Sequence, residues 1–343
     1  MLILRLRSLG DLVLETPSIA ALHAWRPDLR ICVAVEPRFA AVFEGNPNVS
    51  EVLLSEGFVH TALELRRHRF PTVYNQHGGP RSALLTAASG SCWRICWDKF
   101  QFSFLYNVHV PDSKDFCGTA AVHTVEHRIS QFYWTGLPRG PIPRAEVFPQ
   151  SDAVASVAQL LAQNGIAPGD PYAVLQPGAR LQAMRWPAPK FAAIAQWLVE
   201  THGIPCVVNL NEKDADVAEG VRREMRRCII VPQPFSLRNL IALVAGAKFF
   251  LGNDSGPAHL AAAAGLPCVV VFGPTNPVHW RPWQTPHRIV QTGAAFKSLR
   301  GDKSVAVQEP HTIQSISVGE VREACEDLLA EMRIEPKPGV RMD

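Results

Sequence analysis

Short apolar runs alternate along this chain with stretches in which apolar residues recur every three to four positions. In the first part, Leu2–Leu6, Ile31–Val35, Val52–Leu54 and Thr72–Tyr74 read as strands. Glu15–Trp25, with Pro17 in its first turn, Arg81–Ala88 and His123–Trp134 read as helices, and a short helix is expected after Pro37. The alternation pauses over Gly136–Gln150, where Pro138, Pro141, Pro143 and Pro149 mark surface chain leaving a first domain. A helix over Asp152–Gln163 follows, and then the alternation restarts. Strands are expected at Tyr172–Gln176, Cys206–Asn209, Cys228–Val231, Phe249–Leu251 and Cys268–Phe272, with helices at Lys190–Thr201, Ala215–Arg226, Leu237–Gly246 and Pro257–Ala264. The last helical pattern, Val318–Met332, has acids early and little apolar surface, so it is expected on the outside or bridging two domains.

Repeated strand–helix alternation predicts a parallel sheet covered on both faces. A chain of 343 residues favours two domains, at about 100–200 residues each. The expected fold class is therefore α/β, with two Rossmann-like, doubly wound parallel-sheet domains facing across a cleft, over residues 1–165 and 166–343. The segment Asp98–Gly118 fits the pattern poorly. It carries Phe100, Phe102, Phe104 and Tyr106, and reads equally as a functional loop or a buried aromatic strand.

Composition narrows the partners. A net charge of +3, with both signs interspersed, gives no case for nucleic acid. The cluster Arg66, Arg67, His68 and Arg69 is the local exception, read as a solvated helix face or as a contact for an anionic acceptor or membrane surface. The first apolar run is broken by Arg5, Arg7, Asp11 and Glu15, unlike a secretory signal, and no run reaches the roughly 18 apolar residues of a membrane span. The eight scattered cysteines fit reduced thiols in a cytoplasmic protein. No metal site and no cofactor are expected, because His, Asp, Glu and Cys do not cluster at ligand spacing.

Four motifs carry candidate chemistry. Leu251-Gly252-Asn253-Asp254-Ser255-Gly256-Pro257-Ala258-His259 follows an apolar strand and opens an Ala-rich helix. Free N–H groups and the helix dipole favour an anion there, and Gly256 allows close approach of a phosphate. Ser255 and the backbone amides are expected to take the phosphate, Asp254 to cap the helix or accept sugar hydroxyls, and His259 to lie one turn in. A well-capped helix with a core histidine fits equally. Phe272-Gly273-Pro274-Thr275-Asn276-Pro277 ends the next strand and offers Thr275. Gln176-Pro177-Gly178-Ala179-Arg180, with Arg185-Trp186-Pro187, offers two arginines to a diphosphate, or two exposed loop cations. Arg7-Ser8-Leu9-Gly10-Asp11 closes the first strand; Ser8 and Asp11 also fit a loose capping box. The chain lacks a full G-x-G-x-x-G fingerprint, a G-x-x-x-x-G-K-[ST] loop and a G-x-S-x-G elbow, which removes support for NAD enzymes, P-loop ATPases and α/β-hydrolases.

Together these motifs resemble glycosyltransferase family 9, the bacterial heptosyltransferases of lipopolysaccharide core assembly. The resemblance also rests on Thr16-Pro17, Gln76-His77-Gly78-Gly79 and Arg81-Ser82-Ala83-Leu84, and covers nearly the whole chain. It implies a GT-B fold with acceptor on the N-terminal domain and a nucleotide-sugar donor such as ADP-heptose on the C-terminal one. It implies metal-independent, inverting transfer onto a lipid-linked or oligosaccharide acceptor, on the cytoplasmic side with peripheral contact to the inner membrane. By family position Asp11 is the catalytic base, and Ser8, Gly10, His77 and Arg81 meet the acceptor. Gly178, Ala179, Arg180, Arg185, Asp254, Ser255, Gly256, His259 and Thr275 meet the donor, with Phe235 near the adenine and Asp214 near the ribose. Met184 stands where the family often has a lysine, and Glu309–Ile316 lacks the cysteines many members carry. A nucleotide-sugar epimerase and a non-catalytic nucleotide-sugar-binding protein are the alternative readings.

Overall fold

The computed structural model describes residues 1–113, 118, 122–210, 229–230, 235–292 and 312–334. The expected helix Ala215–Arg226, and Asp214 before it, lie outside the described residues. The chain divides into two compact units, Met1–Phe148 and Pro149–Asp343.

In the first unit, β1 (Leu2–Leu4) leads into α1 (Leu9–Val13) and α2 (Thr16–Trp25), then β2 (Cys32–Val35), β3 (Glu51–Leu54) and α3 (Phe58–His68). There follow β4 (Thr72–Asn75), α4 (Pro80–Ala88), β5 (Trp93–Trp97), β6 (Val108–Val110) and α5 (Thr124–Trp134). All strands pair in parallel, in the order β3-β2-β1-β4-β5-β6. β1 and β2 are wholly buried, which is why they read as continuous apolar runs rather than as an alternation. The helix expected from Glu15 is preceded by α1, with the break at Leu14 and Glu15. Pro17 cannot donate a backbone hydrogen bond, so it sits in the first turn of a new helix rather than inside a continuous one. The aromatic segment is not a buried aromatic strand. Its strand is β6, which holds no aromatic, while Phe102 and Phe104 are exposed and Tyr106 is buried.

The second unit opens with α6 (Ser151–Gln163), then β7 (Ala173–Gln176), α7 (Ala188–Trp197), β8 (Cys206–Val208), β9 (Ile229–Ile230) and α8 (Leu237–Gly246). It continues through β10 (Phe249–Asn253), α9 (Gly256–Ala263), β11 (Cys268–Phe272), α10 (Pro277–Trp280), β12 (His287–Gln291) and α11 (Val318–Glu331). The parallel order is β12-β11-β10-β7-β8-β9. Counted from β7, this is the same winding as the first unit. α6 goes with this unit, unlike in the division at residue 165, because it packs on α8 and Asp152 pairs with Arg238 at 3.0 Å. α11 is not peripheral. Val321, Cys325, Leu328 and Leu329 form a buried stripe at helical spacing, packed on β11, β12 and α7 within this unit.

Candidate functional site

In each unit the winding reverses between two central strands, β1 and β4 in the first, β7 and β10 in the second. Crevices beyond the carboxyl ends of such a strand pair are where doubly wound sheets hold ligands.

In the first unit those ends carry a charged network. Arg5, one residue past β1, pairs with Asp11 at 2.5 Å and donates to the Gln76 carbonyl. Arg128, from α5, pairs with the other Asp11 oxygen and, at 3.2 Å, with Glu15, which is fully buried. Gln76 donates to Gln131 at 2.8 Å. Burial works to raise the Asp11 pKa, but the Arg128 and Arg5 guanidiniums overcome it and hold this carboxyl far below the usual range. Glu15 goes the other way: burial raises it against the pull of Arg128. Arg5 is lowered to about 10, by burial and by Arg128. His77, beyond β4, is lowered to about 4 by burial and by Arg5 and Arg7, so its ring is neutral near pH 7. Six buried polar atoms gather around Asp11 with no hydrogen-bond partner among the described residues: Arg5 Nε, Glu15 Oε1, Gln76 Oε1, His77 Nδ1, Arg128 Nε and Gln131 Nε2. Buried polar groups are nearly always satisfied, so this concentration sets the surroundings of Asp11 apart from an ordinary core.

The residues expected here take up distinct positions. Asp11 does not cap a helix; it is the third residue of α1, with a side chain 17% exposed. Ser8 precedes α1 at φ 80° without a side-chain capping bond, so the capping box is not formed. That positive φ is strained for a non-glycine residue. Gly10 is buried inside α1. His77 follows the buried Asn75, whose side chain accepts from the His77 and Gly78 amides at 3.0 Å. Gly78 and Gly79, at φ 72° and 85°, make the left-handed turn into α4. Arg81 turns its guanidinium to Ser55, 3.0 Å from the hydroxyl, at the end of β3. Arg5, Glu15 and Arg128 were given no site role by sequence, and Gln76 was quoted only within its motif. An arginine in the apolar run Leu2–Leu6 was the available signal for Arg5. Glu15 and Arg128 lie on faces whose burial only the packing reveals.

In the second unit the motifs are stitched together by Asn253, a residue given no role above. Its side chain donates to the Pro177 carbonyl at 2.7 Å and accepts from the Trp186 amide at 3.0 Å. Arg185 Nε donates to the Ala179 carbonyl at 2.8 Å, while Arg180 is exposed. Gly273 lies so close to the loop before Arg185 that a Cβ there would be 2.6 Å from the Ala183 carbonyl oxygen. Gly178, Ala179, Asp254, Ser255, Gly256 and Thr275 thus share the carboxyl edge of β7, β10 and β11. Thr275 donates to Asp254 at 2.6 Å, and burial raises Asp254 to about 6 against that hydrogen bond. Asp254 therefore serves its neighbour and does not cap α9. Ser255 holds the capping position, but its hydroxyl turns back to the Asn253 carbonyl at 3.1 Å. The first turn of α9 has no side-chain cap, so its first backbone N–H groups are not taken by a capping side chain. His259 is buried, its ring 6.1 Å from that of Trp280. Phe235 is half-buried, just before the Ser236 cap of α8.

The sequence profile of glycosyltransferase family 9 (heptosyltransferase) matches residues 59–304. Lipopolysaccharide heptosyltransferase 3 of Escherichia coli is 25% identical over 297 residues, 80% of this chain and 83% of that relative. A crystal structure of a family 9 glycosyl transferase from Veillonella parvula aligns with a TM-score of 0.85 at 23% identity, over 96% of this chain and 97% of that one. The structure of E. coli ADP-heptose lipopolysaccharide heptosyltransferase II aligns with a TM-score of 0.79 at 21% identity, over 97% and 99%. These two likenesses bear out the fold: Rossmann-like α/β domains of the GT-B class. With the profile matching most of its length, the chain belongs to glycosyltransferase family 9, the heptosyltransferase family, and is a glycosyltransferase.

Proposed function

We propose that the protein moves a sugar, a heptose from ADP-heptose, onto a lipopolysaccharide core-type acceptor, by inverting, metal-independent transfer. The observation that carries the reading is the carboxylate of Asp11, clamped by two arginines amid six unpartnered polar atoms at the switch point of the first unit. The names of the E. coli relatives, a lipopolysaccharide heptosyltransferase and an ADP-heptose heptosyltransferase, support the choice of sugar, nucleotide and acceptor class.

In this reading the two units divide the work. Asp11 takes the proton from the attacking hydroxyl, and Ser8, Gly10, His77 and Arg81 meet the acceptor. Arg5 and Arg128 keep the carboxylate ionised and fixed in direction, at a cost in basicity, so proton transfer completes only as the sugar bond forms. On the second unit the diphosphate meets the open N-terminus of α9 at Ser255 and Gly256, with Arg180 and Arg185 beside it to balance the charge of the departing ADP. Gly178 and Ala179 present backbone to the donor, Asp254, Thr275 and His259 meet its hydroxyls, Phe235 the adenine and Asp214 the ribose.

Transfer of labelled sugar from ADP-heptose, with and without acceptor, tests the reading. Acceptor-dependent transfer supports it; acceptor-free release would point to an epimerase-like activity, and binding without turnover to a non-catalytic member. Asp11→Asn is expected to lower transfer about 100-fold or more while ADP binding stays unchanged. Near-normal turnover would move the base to another group, with the neutral His77 the next to be replaced. Gly256→Val is expected to weaken ADP binding by blocking the phosphate; unchanged affinity in the folded variant would rule the α9 site out.

A further inference from the structure

We propose that the outward face of α3 and α4 docks the protein on an anionic phospholipid surface. The inference extends the transfer reading, which places the acceptor on a lipid, but it stands on features of the first unit alone.

α3 and α4 pack side by side on one face of the first sheet. The buried side of α3 is set by Thr61 and Leu65. Its opposite side carries Val59, Leu63, Arg66 and Arg67, spaced i, i+4, i+7 and i+8, and therefore along one stripe. Val59 is 69% exposed, Leu63 52% and, on the neighbouring α4, Leu84 49%. Phe58 at the start of α3 is exposed as well. Arg66 leans across to the end of α4, its Nη1 3.5 Å from where a Cβ on Gly90 would stand, so the two helices present one surface. Arg66, Arg67 and Arg69 are exposed and form no ion pair among the described residues. Elsewhere in this unit exposed arginines are mostly committed, as Arg26 is to Asp28, Arg30 to Glu51 and Arg38 to Glu36.

Apolar side chains scattered singly on a surface need no explanation, but a contiguous set flanked by unpaired cations does. Leucine and valine gain by entering the boundary between headgroups and acyl chains, while arginines at the same depth meet lipid phosphates. The free positive charge selects an anionic bilayer over a neutral one and over another copy of this face, which would repel it. The N-termini of α3 and α4 lie at the carboxyl edge of the sheet, the edge that bears Asp11 and Arg81. Docking along these helices would leave that edge beside the lipid surface, where a lipid-linked acceptor stands.

The test is co-sedimentation of the full chain with vesicles of phosphatidylcholine alone and of phosphatidylcholine mixed with phosphatidylglycerol, with no acceptor or nucleotide present. Binding is expected to the anionic vesicles only and to weaken as salt is raised. Arg66→Glu with Arg67→Glu should weaken it at least about 30-fold, and Val59→Ser with Leu63→Ser about 10-fold. All four positions are exposed, and unchanged thermal unfolding of the variants would confirm that folding is intact. No binding to anionic vesicles, or binding that both variants retain, would overturn the proposal. Self-association or oligonucleotide binding lost with the arginines, in the absence of vesicle binding, would overturn it too. Because the vesicles carry no acceptor, failure here leaves the transfer reading standing, and failure of transfer leaves this one standing.

Discussion

Asp254 is the residue at which stability and function are set against each other. Its carboxyl is raised from 3.8 to about 6, so the fold favours the protonated form. Below pH 3.8 both folded and unfolded chains carry the proton, and burial costs nothing through ionisation. As pH rises from there through about 6 the unfolded chain releases its proton first, and stability falls by on the order of 3 kcal/mol. Asp254→Asn keeps an acceptor for Thr275 and removes that cost. It should raise the free energy of unfolding by up to about that amount at pH 8 and hardly at all at pH 3.5, by urea titration. An equal gain at both pH values would show that ionisation is not the cause. Donor binding should weaken in the same variant, since a site that keeps an ill-placed charge commonly does so for function. Asp11 behaves oppositely. Its depressed pKa contributes stability that is present at neutral pH and is lost as pH falls below about 4.

Between elements, Arg128 is the link that fixes α5 to the start of the chain, through Asp11 in α1 and Glu15 at the cap of α2. Arg128→Met would leave one fully buried carboxyl and one largely buried carboxylate short of a cation. The expected loss is about 3–5 kcal/mol, read by chemical denaturation. Glu15→Met added to Arg128→Met should recover part of it, because a buried pair replaced by apolar groups costs less than a pair that is broken. Additive losses would show that the two side chains do not depend on each other. The turn after β11 is a second joint. Gly273→Ala places a Cβ against backbone that cannot swing aside, 2.6 Å from the Ala183 carbonyl oxygen. A loss of about 1–3 kcal/mol is expected, with weaker ADP binding as the Arg185 loop shifts. The helical and strand patterns of these elements were legible in the sequence, and so were the glycine turns that end β4, β7, β10 and β11. β5, β6, α10 and β12 were not read as elements, and of α3 only the basic end, Arg66–Arg69, was read as a helix face. β6 and α10 span three and four residues, too few for a period to declare itself.

At the scale of the whole chain, ligand binding to the folded state should raise its stability by mass action. ADP at about 100 times its dissociation constant is expected to add about 2.7 kcal/mol, seen as a rise in unfolding temperature. A larger rise with UDP or GDP at matched concentration would move the donor away from an adenine nucleotide. The two-unit organisation follows from the sequence itself, because strand–helix alternation and its proline-rich pause are local and survive without knowledge of the fold. So do the positions of Gly178 and Ser255 just past strand ends, and of Asp11 in the polar stretch that follows the first apolar run, since a polar turn after an apolar run is a property of neighbouring residues. The composition of the site was decided by the tertiary structure. Sheet order sets β1 against β4 and β7 against β10, and no local pattern encodes which distant strand a strand will pair with. That pairing brings Gln76 and His77 to Asp11, and helix packing brings Arg128 to it from 117 residues away. The sequence alone shows Glu15 as a charge near a helix start. Only burial turns it into a partner of Arg128, because the charge state and reach of a carboxylate depend on what surrounds it in space.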